Sequence, residues 1–442
     1  MNLNPQQQQA FDELTRFVTT KTENVIYCLK GYAGTGKTYT ISRVVEHVLK
    51  KHPRWKIAMT APTNKAVQVL REASNLEGVV YKTIHSLLGL KEVIKDSGEI
   101  EFEKDFEEPT TGLKIYKVLI VDEVSMLDDK LFMDIRRYNN DVKIILMGDP
   151  AQIPPVNKED CEPFLNPEEH GIVELQLTQI MRQADGSRIA EAGQKIRDNL
   201  TTDGFMFEGL HDLHAYSVPR DRESLKAEFE RTFTPRSNAR VIAWTNRKVD
   251  DYNRYIRRLI YGQNAAKLMP GEKIILSKPF YAETVKFTGE RDTTLLSSNQ
   301  ELEVLGLEVQ PLDLPNGAEI TTYRCKVQFI NKSGSRQIGH IPVLHESSAI
   351  AFGNLLNDLK QAAIQSAYGE RKAAWKLYYS TLRSVAQVAY GYAITAHKSQ
   401  GSTYDTCFVD AGNIQLNPNV IERNRILYTA ITRAKSKLII IQ

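Results

Sequence analysis

Gly31-Tyr32-Ala33-Gly34-Thr35-Gly36-Lys37-Thr38 fits the pattern G-x-x-x-x-G-K-[ST] without a gap. In such a loop Gly34, Thr35 and Gly36 turn the backbone so that its N–H groups face phosphate oxygens. Lys37 then reaches β- and γ-phosphates, and the Thr38 hydroxyl is placed to ligate Mg²⁺. Val118-Leu119-Ile120-Val121 is an apolar run ending in Asp122-Glu123. Beside a phosphate loop, Asp122 is placed to hold Mg²⁺ and Glu123 to polarise an attacking water. Together the two segments read as an ATP-hydrolysing site. Gly148-Asp149-Pro150-Ala151-Gln152 follows another apolar run and makes Gln152 a candidate γ-phosphate sensor. The segment read alone is equally a Pro-rich turn. Arg182 and Arg433 are candidate cations for charge developing at the γ-phosphate.

The flanks of the loop fit the motif. Asn24 to Leu29 read as a buried strand, and Ile41, Val44, Val45, Val48 and Leu49 recur at helical spacing. Lys56–Thr60, Lys117–Val121 and Lys143–Met147 are further short runs rich in Ile, Val and Leu, each followed by a loop of small or charged residues. This predicts a parallel sheet with crossover helices and a site at the carboxyl ends of its strands. Between Gly89 and Gly112 the pattern breaks. Leu90–Ile94 and Glu99–Phe102, joined by Asp96-Ser97-Gly98, read as an inserted hairpin. Arg240–Thr245 begins a second strand series. Lys273–Leu276, Glu301–Val309, Tyr323–Ile330 and Gln337–Val343 read as an antiparallel β-barrel inserted in it. Leu355–Ser384 read as helical with a break at Tyr368-Gly369, and Lys437–Ile441 as a closing strand.

A chain of 442 residues is too long for one core, and 42% hydrophobic with 25% charged residues is ordinary for a globular protein. A net charge of +3 permits nucleic-acid binding without arguing for it. Cys28, Cys161, Cys325 and Cys407 form no C-x-x-C pair, so neither a zinc site nor a disulfide framework is expected, and reduced thiols point to the cytoplasm. No apolar run has the length of a membrane span. Pro62-Thr63-Asn64-Lys65, Thr83-Ile84-His85-Ser86 and Thr395-Ala396-His397-Lys398 each follow a strand. Their hydroxyls, amides and lysines suit contacts to a phosphate backbone. His85, Phe102 and Tyr392 could stack on bases, a packed or capping role being equally open for each. His397-Lys398 has no acid at ligand spacing that would argue for a metal.

Taken in order, these segments resemble the superfamily 1 helicases, specifically the RecD-like branch and within it the Dda-type helicases of large DNA phages. The likeness runs from Leu3–Phe11 through Gly31–Thr38, Ala61–Ala66, Thr83–Leu88, Val121–Met126, Gly148–Val156, Leu177–Arg182, Val241–Asn253 and Ala393–Gly401 to Leu427–Ala434. The resemblance implies an α/β fold of two tandem RecA-like P-loop domains. The first spans 1–88 and 113–190 and carries a hairpin wedge at 89–112. The second spans 191–272 and 385–442, with an SH3-like β-barrel at 273–348 and a helical insert at 349–384. It implies that Gln7, among Gln6–Gln9, contacts adenine and that Arg182 and Arg433 are arginine fingers. Pro62, Thr63, Asn64, His85, Thr395, His397 and Lys398 would hold single-stranded DNA. Phe102, then Phe106, would stack at the wedge. The function implied is ATP-dependent 5′ to 3′ translocation with separation of tailed or forked duplex, by a monomer that can meet a single-strand-binding protein or other replication proteins. A translocase that strips bound proteins and an RNA-directed motor stay open on the residues alone.

Overall fold

The structure is a computed structural model that describes residues 3–21, 26–104, 113–137, 142–155, 158, 160–181, 188–203, 216–219, 221–235, 237–285, 290–331 and 334–442. Two parallel sheets form its frame. In the first the strand order is Val79–Thr83, Ile57–Ala61, Val118–Val121, Lys143–Gly148, Ile26–Gly31 and Ile172–Leu177. In the second it is Ala393–Thr395, Ala239–Ala243, Tyr404–Asp410, Ala434–Ile441 and Tyr216–Ser217. Strands such as Ile57–Ala61 and Val118–Val121 are buried along their whole length, because crossover helices cover both faces.

Helix Lys37–Lys51 turns Ile41, Val44, Val45 and Val48 onto this sheet and packs beside helix Pro5–Thr19 through Leu14, Phe17 and Val18. The strand order puts Lys143–Gly148 between Ile26–Gly31 and Val118–Val121. The loops that follow these three strands therefore converge, which is how the P-loop, Asp122-Glu123 and Gln152 come to share one edge.

A seven-stranded antiparallel sheet, in the order Arg291–Leu296, Phe280–Val285, Arg336–Leu344, Glu319–Ile330, Glu301–Asp313, Lys273–Leu276, Val388–Tyr390, interrupts the second parallel sheet. Its inward residues, among them Ile274, Ala282, Leu296, Val304, Val327 and Ile341, build one shared core. It has three strands beyond the four legible in the sequence. Phe280–Val285 exposes Tyr281 and Val285 on the face opposite its buried Ala282 and Thr284, so its apolar pattern lacks a clean period of two. Helices Ala349–Gln365 and Arg371–Leu382 follow, broken close to the expected point. The expected hairpin forms as Leu90–Ile94 paired with Ile100–Lys104.

Candidate nucleotide and nucleic-acid sites

At the P-loop, Gly34 and Gly36 take φ of 83° and 82°, left-handed values that suit glycine. A Cβ at Gly36 would also lie 2.5 Å from Gln7 Nε2, so a side chain there would push Gln7 aside. Gln7 is buried, with Nε2 donating to Thr35 O at 3.0 Å and Oε1 accepting from Asn4 N at 3.1 Å. Both polar atoms of its carboxamide are thus already bonded inside the protein, and it braces the loop. Gln6 holds the other side by donating to Thr178 Oγ1 and accepting from the Thr178 and Gln179 amides. Lys37 Nζ donates to Gly31 O at 2.6 Å and Tyr32 O at 3.2 Å, bonds for which a phosphate would compete.

The carboxyl of Asp122 is pushed up to about 7, first by burial and then by the neighbouring Glu123, against the pull of Lys37. A cation beside this carboxyl would relieve both penalties, and hydroxyl and carboxylate oxygens of the Thr38 and Asp122 type suit Mg²⁺. Glu123 has φ of 53°, a left-handed backbone unusual for a residue with a side chain. Gln152 is 5% exposed, and its Oε1 has no hydrogen-bond partner. Ser125 Oγ, after the acidic pair, is likewise buried and unpaired. Both atoms lie on loops that follow strands of the sheet carrying the P-loop, where a polar ligand could take them up.

The second sheet closes on this edge. Tyr428 OH lies 3.3 Å from Ala33 N and donates to Asp149 Oδ2 at 2.8 Å. Ile153 N donates to Thr429 Oγ1, and Gln400 Nε2 to Ile153 O. The Arg197 guanidinium lies 3.7 Å from the centre of the Tyr32 ring. Arg433 is buried, and its nitrogens donate to Thr429 O, Ser402 O and Thr432 Oγ1. In this structure its guanidinium is thus bonded on its own side of the cleft. Arg182 and Phe106 lie outside the described residues, although Met181 N donates to Gly34 O at 2.7 Å. Tyr428, Arg197 and Ser125 carry no motif spacing that singles them out in the sequence.

A second feature repeats across both sheets. Thr83 and Thr395 each end a parallel strand, and Thr63 and Thr245 lie two residues beyond one. Each of the four caps the helix that follows, Thr83, Thr395, Thr63 and Thr245 accepting from the amides of Ser86, Lys398, Ala66 and Lys248 respectively. Each cap leaves other first-turn amides to a ligand. Two cavities run beside these caps. One, of about 230 Å³, is lined by Asn64, Lys65, Thr83 and Ser86 opposite Thr294, Ser298, Gln300 and Phe329 of the antiparallel sheet. The other, of about 70 Å³, is lined by Asn246, Thr395, Lys398 and Ser277. Lys65 lines both, so they meet there. Pro62 and Thr63 sit half-buried at the head of the Asn64 helix. Thr245 and Asn246 went unmarked as individual sites in the sequence, though the strand-Thr-helix pattern could have found them.

His85 packs its ring on Phe102, 4.6 Å between centroids, and Phe102 stays 39% exposed on the hairpin. Burial lowers the pKa of His85. It also lowers that of His397, which lines neither cavity, while the adjacent Lys398 is exposed. Tyr392 is not a stacking surface. It is buried and donates to Glu272 Oε1 at 3.0 Å. The hairpin tip is held from far along the chain. Tyr379 OH donates to Gly98 O at 2.6 Å, Trp375 lies against Gly98, and Arg383 pairs with Glu92.

Residues 2–215 match a family described as an AAA domain, and residues 390–441 match the UvrD-like helicase C-terminal domain. An uncharacterised protein of Acanthamoeba polyphaga mimivirus, R530, is 27% identical over 98% of this chain and 99% of its own. The ATP-dependent DNA helicase dda of Enterobacteria phage T4 is 24% identical over 97% of each. The crystal structure of the Pif1 helicase from Candida albicans superposes with a TM-score of 0.54 at 17% identity, covering 100% of this chain and 94% of that one. Two RecA-like α/β halves are therefore the frame on which both sites are built.

Proposed function

We infer the working of this chain from its membership of the RecD/Pif1/Dda-like superfamily 1 helicases: it is an ATP-dependent DNA helicase that moves 5′ to 3′ along one strand and separates tailed or forked duplex. The observation that carries the DNA track is the row of four threonine-capped helix starts, two on each parallel sheet, beside cavities that meet at Lys65. Such a row offers amides, hydroxyls and the Lys65 and Lys398 ammoniums to successive phosphates and reads no base edge.

In this reading the P-loop amides and Lys37 bind the β- and γ-phosphates of ATP. Thr38 and Asp122 hold Mg²⁺, which supplies neutralisation of charge on the phosphates. Glu123 takes the proton of the attacking water, and Gln152 orients that water through its free Oε1. Arg433 reaches the γ-phosphate by exchanging its Ser402 and Thr432 acceptors for phosphate oxygens, and Arg182, next in the chain to Met181, serves from the other side. Hydrolysis removes the shared ligand, the cleft relaxes, and the two threonine-capped pairs part by one step along the strand. The hairpin, propped by Trp375 and Tyr379, is the wedge, with Phe102 at its exposed face.

The protein acts as a cytoplasmic monomer, with single-strand-binding or other replication proteins as its partners. Among the described residues no helix is long and apolar enough to cross a membrane. The test is unwinding of a short duplex with a 5′ or a 3′ single-stranded tail. Opening with the 5′ tail alone is expected. Opening with the 3′ tail alone overturns the polarity, and ATPase stimulated by DNA without opening of either overturns strand separation.

A further inference from the structure

The loop that carries Gln152 is tied to the second RecA-like half on both sides of that residue. Upstream, Asp149 is 1% exposed, a carboxylate withdrawn from water. Its Oδ1 accepts from Ala151 N at 3.0 Å inside its own loop, and its Oδ2 accepts from Tyr428 OH at 2.8 Å across the cleft. Downstream, Ile153 donates to Thr429 and accepts from Gln400. Tyr428 is itself 2% exposed, and its oxygen also accepts from Ala33 N of the P-loop at 3.3 Å. One hydroxyl thus joins three segments: the phosphate loop, the loop bearing the unpaired Gln152, and the helix Val420–Ile431 that leads to Arg433.

From this we propose that Tyr428 is a positioning residue for hydrolysis: its hydroxyl pulls the Asp149 loop into register with the phosphate loop as the cleft closes, and so sets where Gln152 stands. A buried carboxylate with a single side-chain donor gains most when that donor arrives, so the pair favours the closed cleft before any charge develops at the γ-phosphate. Because the same oxygen accepts from the Ala33 amide, Tyr428 ties the Asp149 loop to the phosphate loop, and nucleotide binding is thereby linked to loop position. The Tyr428 ring fills space that Phe fills equally well, which separates the hydroxyl's part from packing.

The inference rests on the ATPase reading above. Tyr428→Phe and Asp149→Asn are each assayed as full-length protein for steady-state ATP hydrolysis on single-stranded DNA, for DNA affinity, and for ATP consumed per base pair opened. Tyr428→Phe should lower kcat about tenfold, the kinetic equivalent of one charge-assisted hydrogen bond, while KM for ATP and DNA affinity stay within about twofold. Asp149→Asn keeps one carbonyl oxygen for the tyrosine and should lower kcat by less than Tyr428→Phe does. A wild-type kcat for Tyr428→Phe overturns the proposal, as does a fall in kcat matched by equal losses of thermal stability and DNA binding. Failure of the wild-type chain itself to hydrolyse ATP defeats instead the reading on which it rests.

Discussion

Gly98 at the hairpin tip has φ of 85°, and a Cβ there would lie 2.4 Å from the Trp375 ring. Gly98→Ala therefore meets two costs at once. A side chain in left-handed backbone costs about 1–2 kcal/mol. The overlap with Trp375 is removed only by moving the tip away from helix Arg371–Leu382, which gives up the Tyr379–Gly98 hydrogen bond, about 1 kcal/mol. The Arg383–Glu92 pair, with both side chains more than a third exposed, adds less than about 1 kcal/mol to hold the tip in place. The total, about 2–3 kcal/mol, shifts the docked tip towards the free one by about thirty- to a hundredfold. No residue of the ATP site and none of the four capping threonines takes part in this contact at the tip, and helix Ile84–Leu88 meets the hairpin elsewhere, through His85 and Phe102. Single-turnover opening of a 5′-tailed duplex should thus fall by about tenfold or more, while DNA-stimulated hydrolysis stays near wild type. Trp375 is one of three tryptophans, so its release should show as a change in intrinsic fluorescence. Wild-type opening together with an altered Trp375 signal would refute the idea that the propped hairpin splits the duplex.

Lys37→Ala and Glu123→Gln should each abolish hydrolysis and leave single-stranded DNA binding intact, measured by phosphate release and fluorescence anisotropy. Gln152→Ala removes a side chain whose Oε1 is unpaired, so melting temperature should hardly change while kcat falls about a hundredfold or less. Burial holds the imidazoles of His85 and His397 below their ordinary value of 6.5. The folded chain then binds fewer protons than the unfolded one just under pH 6.5, so this contribution costs nothing above 6.5 and destabilises the fold as pH falls below it. The doubly substituted His85→Gln, His397→Gln chain should lose less stability than wild type between pH 7.5 and 5.5 in denaturant melts, and an equal loss would contradict the burial argument.

What the sequence shows plainly is chemistry compressed into short spans. The P-loop, the acids after Val121 and the strand-Thr-helix turns can be read because local spacing alone fixes their geometry. The hairpin can be read too, since Asp96-Ser97-Gly98 must turn. The same reading misplaces Tyr392, whose ring looks like a stacking surface until Glu272, 120 residues away, is found at its hydroxyl. Tyr428 and Asp149 are 279 residues apart, and in sequence Tyr428 is one more apolar residue on a core helix. Arg433 is legible as a candidate cation, but not that Thr429, Ser402 and Thr432 already accept from its guanidinium. Val388–Tyr390 escapes for a related reason. Three residues beyond the helical insert return to pair with Lys273–Leu276, and a strand that short has no period to read.

The link between the antiparallel sheet and the second RecA-like half bears on how the DNA track opens. Glu272 has no exposed surface, and both its oxygens are engaged by Arg257, with Tyr392 OH and the Met269 amide completing the set. Arg257 also lies 4.7 Å from the Tyr390 ring centre. A second pair, Arg240–Glu301, joins strand Ala239–Ala243 to strand Glu301–Asp313 at 2.7 Å. Separating a buried pair of this kind leaves an uncompensated charge, at a cost of about 3–5 kcal/mol. Across the larger cavity, by contrast, the residues facing the first half are the neutral Thr294, Ser298, Gln300 and Phe329. The antiparallel sheet is thus held to the second half by two ion pairs, while towards the first half Lys65 draws on its Glu301 at the smaller cavity. A cleft that opened between the two halves would carry this sheet with Thr395 and Lys398, and the cavity wall beside Lys65 and Thr83 would take up the relative motion. Grip on a strand at that wall would then follow the state of the nucleotide with no separate hinge in the antiparallel sheet.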